Sequence, residues 1–241
     1  MSRLALITGA NKGIGLETAR QLGRLDFRVL LGARNAESGA AAAAQLRREG
    51  LQAEPLLLDV ASEPGVSRAA AEVAARFPAL DVLINNAGVL LDDHAQPPSA
   101  QSLDVWHRTF EINFFGTIAV TRAFLPLLRA APAARIVNLS SRLASLTLHS
   151  DPNSAIYHSK DAAYNVSKTA VNAWTVNLAY ELRDTPIKVN AAHPGHVRTD
   201  MGGPDAPVAL VDGARTSVAL ATLGPDGPSG RFIYMGEELP W

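Results

Sequence analysis

The sequence predicts an α/β fold, a parallel sheet in doubly wound order covered by helices on both faces. Three observations carry this. Short apolar segments of strand length alternate with segments of helical period almost from end to end. The strand-like runs are continuously apolar, as in Leu4-Ala5-Leu6-Ile7 and Val82-Leu83-Ile84, so both faces of each strand need cover. The first run also breaks into Gly9, Gly13 and Gly15 directly before an amphipathic segment, which reads as strand, tight turn and helix start.

The elements follow in order. After the first strand and the glycine turn, a helix covers about 14–25 and a second strand 28–31. The Ala-rich stretch 36–49 is low in complexity at 40–44 but fits a helix, and 54–58 reads as a third strand. A helix at 66–76 leads to a buried strand at 81–84, which ends in Asn85-Asn86-Ala87-Gly88. Two long helices follow at about 103–113 and 114–130, with Pro126 tolerated near the end of the second. The fifth strand is 135–139, the longest helical pattern 161–183, and the sixth strand 187–191. A helix near 208–220 and a Pro/Gly loop at 224–230 precede a last strand at 231–234. No internal repeat or long linker divides the chain, so residues 1–241 are expected to form a single domain.

A domain of 241 residues can bury ~70–75% of its unfolded surface. With 47% hydrophobic and 19% charged residues the composition is that of an ordinary globular protein. A net charge of −1 gives no electrostatic pull toward nucleic acid or an anionic membrane, and neither is expected as a partner. There is no cysteine, which excludes disulfides, thiolate nucleophiles and thiolate metal sites. No signal-peptide pattern precedes the first strand, and no segment approaches the ~20 apolar residues of a bilayer span, so a cytoplasmic location is expected.

Two segments bear on chemistry. The glycine turn aims backbone N–H groups and a helix N-terminus at one point, which suits a pyrophosphate; an ordinary βα turn also accounts for it. Tyr164-Asn165-Val166-Ser167-Lys168 places a phenol and an ammonium four residues apart, on one face near the start of the longest helix. An ammonium beside a phenol stabilises the phenolate and lowers its pKa, which suits a general acid, although an exposed helix face explains most pairs of this spacing. Tyr157 and Lys160, three apart, precede the helix; Tyr157 reads as pocket wall or surface and Lys160 as a solvated charge. His193 and His196 flank Pro194-Gly195, which breaks the regular geometry a chelate uses, so no metal is expected.

Taken in order, Thr8-Gly9-x-x-x-Gly13-x-Gly15, Asn85-Asn86-Ala87-Gly88, Asn113, Ser140-Ser141, Tyr164-x-x-x-Lys168 and Pro194-Gly195 resemble the short-chain dehydrogenase/reductase family over essentially the whole chain. The wording His193-Pro194-Gly195-His196-Val197-Arg198-Thr199-Asp200-Met201 is most similar to its carbonyl-reductase-like members. The resemblance implies a three-layer Rossmann fold and NADPH-dependent reduction of ketones or aldehydes to alcohols. It implies that Tyr164 protonates the carbonyl oxygen as hydride arrives, and that Lys168 lowers the Tyr164 pKa and holds the nicotinamide ribose. Ser141, the serine after Asn138-Leu139-Ser140, would hydrogen-bond the substrate oxygen, and Asn113 would hold a water linking Lys168 to solvent. Without the family, Asn113 reads as a helix cap and Ser141 as a strand-end turn. In the cofactor site, Gly9, Asn11, Lys12, Gly13, Ile14 and Gly15 would form the turn. Asn86, Ala87 and Gly88 would face the adenosine side, and Asp59 and Val60 would meet adenine, although Asp59 also reads as a helix cap. Pro194, Val197 and Thr199 would serve the carboxamide and phosphate regions.

An NAD-preferring site needs an acid near the end of the second strand to accept from the ribose 2′-hydroxyl. Gly32-Ala33-Arg34 offers none there, and Arg34 can pair bidentately with a 2′-phosphate. Lys12 adds a second positive charge. Either cation alone reads as a surface charge; both together, without the acid, point to NADP(H).

Tyr164 follows Ser141 by 23 positions, more than many members of the family carry. The added residues, about 146–160, contain the turn signal Asp151-Pro152-Asn153-Ser154. Carbonyl reductases of this family also lengthen this region, sometimes covering the helical surface used for tetramers, so monomer and homo-oligomer both stay open. Substrate loops are expected at about 143–160 and 195–210. Leu143, Tyr157, Val197 and Met201 read equally as core packing and as walls for a small-molecule carbonyl substrate with a hydrophobic body. Other functions compete. A catalytically silent NADP(H)-binding redox sensor would have no need of intact Tyr164, Lys168, Ser141 and Asn113. A serine hydrolase needs a Gly-x-Ser-x-Gly elbow, which is absent. An epimerase or dehydratase of the extended family normally needs a larger C-terminal substrate region.

Overall fold

The apolar runs pair into one sheet. In the computed structural model, which describes residues 2–241, its strands are β1 (Leu4–Thr8), β2 (Arg28–Ala33), β3 (Ala53–Leu57), β4 (Val82–Asn85), β5 (Arg135–Leu139), β6 (Lys188–Ala192), β7 (Phe232–Tyr234) and β8 (Glu237–Glu238). The order is β3-β2-β1-β4-β5-β6-β7-β8, and every pair is parallel except β7–β8. Strand order therefore reverses between β1 and β4, which pair through Ile7 and Ile84. In an open α/β sheet a crevice forms at the carboxyl ends of the strands at such a point.

The helices are α1 (Gly13–Arg24), α2 (Ala36–Arg48), α3 (Glu63–Arg76), α4 (Leu103–Phe110), α5 (Gly116–Ala130), α6 (Leu146–Ser150), α7 (Ala162–Glu181), α8 (Leu210–Gly213) and α9 (Arg215–Ala221). Side chains alternate across the pleat, so each face of the sheet has its own core. Leu6, Leu30, Leu83 and Ile136 pack with Phe124, Leu128 and Leu178 of α5 and α7. Ile7, Leu31, Ile84 and Val137 pack with Leu22, Leu46 and Leu220 of α1, α2 and α9. The result is the doubly wound, three-layer Rossmann fold.

One polar seam crosses the first of these cores. Asn85 donates to Thr121 Oγ1 (3.0 Å) and to Asn138 Oδ1 (2.9 Å), and Asn138 donates to Thr175 Oγ1 (2.9 Å). All four side chains are buried, so each bond is expensive to break, and together they fix α7 against the ends of β4 and β5.

Several elements differ from expectation. The helices at 103–113 and 114–130 are one rod from Leu103 to Ala130, joined through a π turn at Glu111–Phe115. At 28 residues this rod is long and apolar enough to cross a membrane, contrary to the expectation that no segment approaches that length. Its inward residues Val120, Phe124 and Leu128 are core, which explains the composition. α3 starts three residues early, where Ser62 accepts from Gly65 N and Pro64 sits in the first turn. The helix near 208–220 is two short helices, α8 and α9, that adjoin at Ala214. α6 and β8 have no counterpart in the sequence reading.

Candidate active site

The carboxyl end of β1 and the loop after β4 are stitched together. Gly9 (φ +63°) and Gly13 (φ +56°) take left-handed backbone, which glycine adopts without strain. Asn86 Nδ2 donates to Thr8 O (2.7 Å) and Gly9 O (3.2 Å), while Thr8 Oγ1 accepts from Asn86 N and Ala87 N, both at 2.9 Å. A Cβ on Gly15 would lie 2.5 Å from Asn86 Nδ2 and 2.6 Å from Gly9 O, so this glycine is required by space. Asn86 thus braces the turn with its side chain. At the start of α1, Lys12 makes no side-chain cap and the first turn carries no acid, so its N–H groups are available to an anion. Thr199 overhangs this turn, its Cγ2 3.8 Å from where a Cβ on Gly13 would sit. The glycines, the uncapped helix end and Thr199 fit a dinucleotide pyrophosphate.

Ser141, Tyr164, Lys168 and Asn113 converge beside it. Lys168 and Asn113 meet at Gly88: a Cβ there would lie 3.3 Å from both Lys168 Nζ and Asn113 Oδ1. Asn113, in the π turn, donates to Val89 O (2.9 Å) and Ser167 Oγ (3.0 Å) and accepts from Val89 N (2.8 Å). It clasps the loop after β4 on both sides of one residue. Ser140 donates to Asn172 Oδ1 (2.6 Å) within the core, whereas Ser141 Oγ accepts from Leu143 N (3.2 Å) and lies beside the Tyr164 phenol, which it pulls down.

Burial pushes the Tyr164 phenol up to about 12, against a downward pull from Ser141 and with a further upward push from Asp161. Burial pushes Lys168 down to about 8. Lys168 Nζ donates to Leu139 O (2.7 Å) and lies 5.8 Å from the centre of the Tyr164 ring. Burial governs both groups, and the only downward pull on the phenol comes from Ser141, not from the ammonium as expected. A phenol in this state keeps its proton at neutral pH, the form a general acid requires.

At the far end of the crevice, Arg34 follows β2 and is exposed. Among the described residues no carboxylate forms an ion pair with it. Lys12 instead bridges to Asp200 Oδ2 at 2.5 Å, an exposed pair that holds the Asp200 carboxyl below its usual range. Asn11 donates to Ser38 Oγ (3.3 Å) and so ties the glycine turn to the start of α2. Asp59 is exposed and accepts from Ala61 N in a local turn, while half-buried Val60 packs against Gly116. Pro194 is buried; Val197 is also buried, bridging to Val208 and pressed against Gly213, so it is core rather than an open wall. Met201 is exposed, and Tyr157 packs edge-on against His158 with Lys160 Nζ 4.9 Å above its ring.

Two supporting roles escaped the sequence reading. His193 Nδ1 accepts from Arg142 N (3.1 Å), holding the turn that follows Ser141. Burial, aided by the Arg142 charge, pushes its imidazole down to about 3, so it stays neutral. Asp92 accepts from Ala163 N (2.8 Å) and Tyr164 N (3.0 Å) across 71 and 72 positions of sequence. No local pattern marks Asp92, because its partners lie on a distant helix.

Comparison with known proteins gives the family. Residues 3–207 match the short chain dehydrogenase family. The chain is 36% identical to the short-chain dehydrogenase anuI of Penicillium roqueforti (strain FM164), over 92% of this chain and 89% of that one. It is 33% identical to carbonyl reductase [NADPH] 1 of Mus musculus, over 99% of this chain and 98% of the relative. Among solved structures, the NADPH-bound carbonyl reductase from chicken fatty liver superposes with a TM-score of 0.86 at 27% identity, over 100% and 99% of the two chains. Salutaridine reductase from Papaver somniferum gives 0.83 at 28% identity, over 95% and 99%. With the glycine turn, the clasped loop after β4 and the Ser141–Tyr164–Lys168 cluster in one crevice, the chain belongs to the short-chain dehydrogenase family.

Proposed function

We propose that this protein reduces ketones or aldehydes with a hydrophobic body to alcohols, with NADPH as the electron donor. The observation that carries the reading is the buried, proton-loaded phenol of Tyr164 next to Ser141 and beside a glycine-lined anion cradle. NADPH bound in that cradle supplies hydride. Ser141 Oγ donates to the substrate oxygen and holds it, and Tyr164 Oη gives that oxygen its proton. Charge develops there in a site largely closed to water, where a fixed donor counts for most. Lys168, buried and with its ammonium pushed down to about 8, binds the nicotinamide ribose hydroxyls and stabilises the phenolate left behind. Asn113 keeps the π turn in place, and a water at that turn would return a proton to Lys168 from solvent.

Arg34, free of a carboxylate partner and placed at the end of β2, takes the 2′-phosphate; Lys12 is neutralised by Asp200 and contributes less. The likeness to carbonyl reductase [NADPH] 1 of Mus musculus and to the NADPH-bound carbonyl reductase from chicken fatty liver supports this choice. Leu143, Tyr157 and Met201 offer the substrate its apolar surface. The test is a panel of aromatic and aliphatic ketones and aldehydes, followed by the loss of NADPH absorbance with NADH in parallel. Faster consumption of NADPH is expected with several of them. Consumption of neither coenzyme with any carbonyl compound would end this reading.

A further inference from the structure

Helix α7 begins without a cap of its own. Asp161, at the N-cap position, makes no side-chain bond to the helix; its Oδ1 pairs with His94 Nδ1 at 2.8 Å. The orphan N–H groups of Ala163 and Tyr164 are taken by Asp92, one by each carboxylate oxygen. Asp92 is buried, 8% exposed, four residues beyond Gly88 on the loop that Asn113 clasps at Val89. That loop is therefore pinned at both ends, to the π turn and to α7.

We propose that Asp92 is a positioning residue for Tyr164, fixing the phenol by a bidentate grip on its helix turn and, through its charge, keeping the proton on the phenol until a carbonyl oxygen takes it. The inference rests on the reductase reading for what the proton is used for, but the grip is present whatever the reaction. The backbone N of Tyr164 is 3.0 Å from the carboxylate, so the helix turn carrying the acid cannot shift away from the loop without breaking that bond. The positive end of a helix would otherwise favour a phenolate in its first turn. A carboxylate at that end cancels the effect and opposes ionisation. The groups facing this turn are Ser141 and Lys168 on the substrate side, and Asp161 with His94 on the outer side. Asp161 pushes the phenol up, and Lys168 is directed at Leu139 O.

The experiment compares wild type, Asp92→Asn and Asp92→Glu in kcat, KM and NADPH dissociation constant across pH. Asp92→Asn keeps the shape and loses the charge. Its kcat should fall roughly tenfold, as expected when a reacting group is slightly misplaced, with NADPH binding within about twofold of wild type. The alkaline limb of its pH–rate profile should move to lower pH by about half a unit to one unit. Asp92→Glu, which retains the charge, should lose kcat while its alkaline limb stays at the wild-type position. An unchanged kcat in Asp92→Asn, or a lowered kcat with an unmoved limb, overturns the proposal. If Asp92→Asn does not fold, Asp92→Glu decides, and a wild-type kcat or a displaced limb there overturns it. Absence of turnover in the wild type would count against the reductase reading alone. Ultraviolet titration of the phenol, each protein against its own Tyr164→Phe counterpart, then reads the same downward shift without turnover, and no shift overturns the proposal.

Discussion

Two adjacent serines offer a sharp test of the proposed site, because the structure gives them different surroundings. Ser140 Oγ donates to Asn172 Oδ1 at 2.6 Å, with both residues buried and Asn172 Nδ2 already without a partner. Ser140→Ala strands that acceptor in the core, which costs about 1–3 kcal/mol. For a chain of this size each kcal/mol lowers Tm by roughly 2–4 °C, so a loss of roughly 2–12 °C is expected with the reacting groups in place. Ser141 Oγ accepts only a 3.2 Å bond from Leu143 N at the edge of the crevice and otherwise faces Tyr164. Ser141→Ala should shift Tm by no more than about 2 °C, yet lower kcat by roughly 10²–10³, the loss seen when one donor to a developing oxyanion is removed. Thermal unfolding and carbonyl-dependent NADPH oxidation, measured on both variants, separate the two effects. Catalytic loss in Ser140→Ala with an unperturbed Ser141→Ala would refute the assignment.

The cofactor and pH behaviour can be tested in the same way. Arg34→Glu places a carboxylate where the 2′-phosphate is proposed to lie, so the KM for NADPH should rise roughly tenfold to a hundredfold relative to that for NADH; an unchanged ratio removes Arg34 from that role. His193 is neutral in the fold, with a pKa pushed down to about 3 from an ordinary 6.5. The unfolded chain therefore binds the extra proton first. Stability is complete above about pH 6.5 and is lost as pH falls toward about 3, by up to about 2 kcal/mol between pH 7 and pH 5. Denaturant unfolding should show this slope flattened in His193→Gln, which can still accept from Arg142 N; equal slopes in the two proteins would contradict it.

What the sequence disclosed and what it hid follow physical lines. Gly9 and Gly13 are legible because a positive φ is a local demand, and Tyr164 and Lys168 because helical spacing puts them on one face. Continuous apolar strands announced a sheet with two cores. The side-chain work of Asn86 was not legible, since its acceptors lie 77 and 78 positions away on β1 and the glycine turn. Nor was the grip of Asp92 on α7, a contact between loop and helix that no local spacing encodes. The π turn at Glu111–Phe115 carries no residue signal, and the two-residue β8 is too short for a period to show. The early start of α3 was legible in Ser62 and Pro64 and was missed in favour of the later apolar period. Burial also reversed one inference: spacing alone suggested a phenol lowered by its ammonium, while the fold encloses both groups and raises it.

The central claim is that the Tyr164 hydroxyl delivers the proton to the reacting oxygen. Tyr164→Phe removes that hydroxyl and little else, so the measurement is carbonyl-dependent NADPH oxidation together with NADPH binding on the same preparation. The account predicts turnover lost by at least about 10²-fold, with binding within about twofold of wild type. Turnover near the wild-type rate in Tyr164→Phe would contradict it.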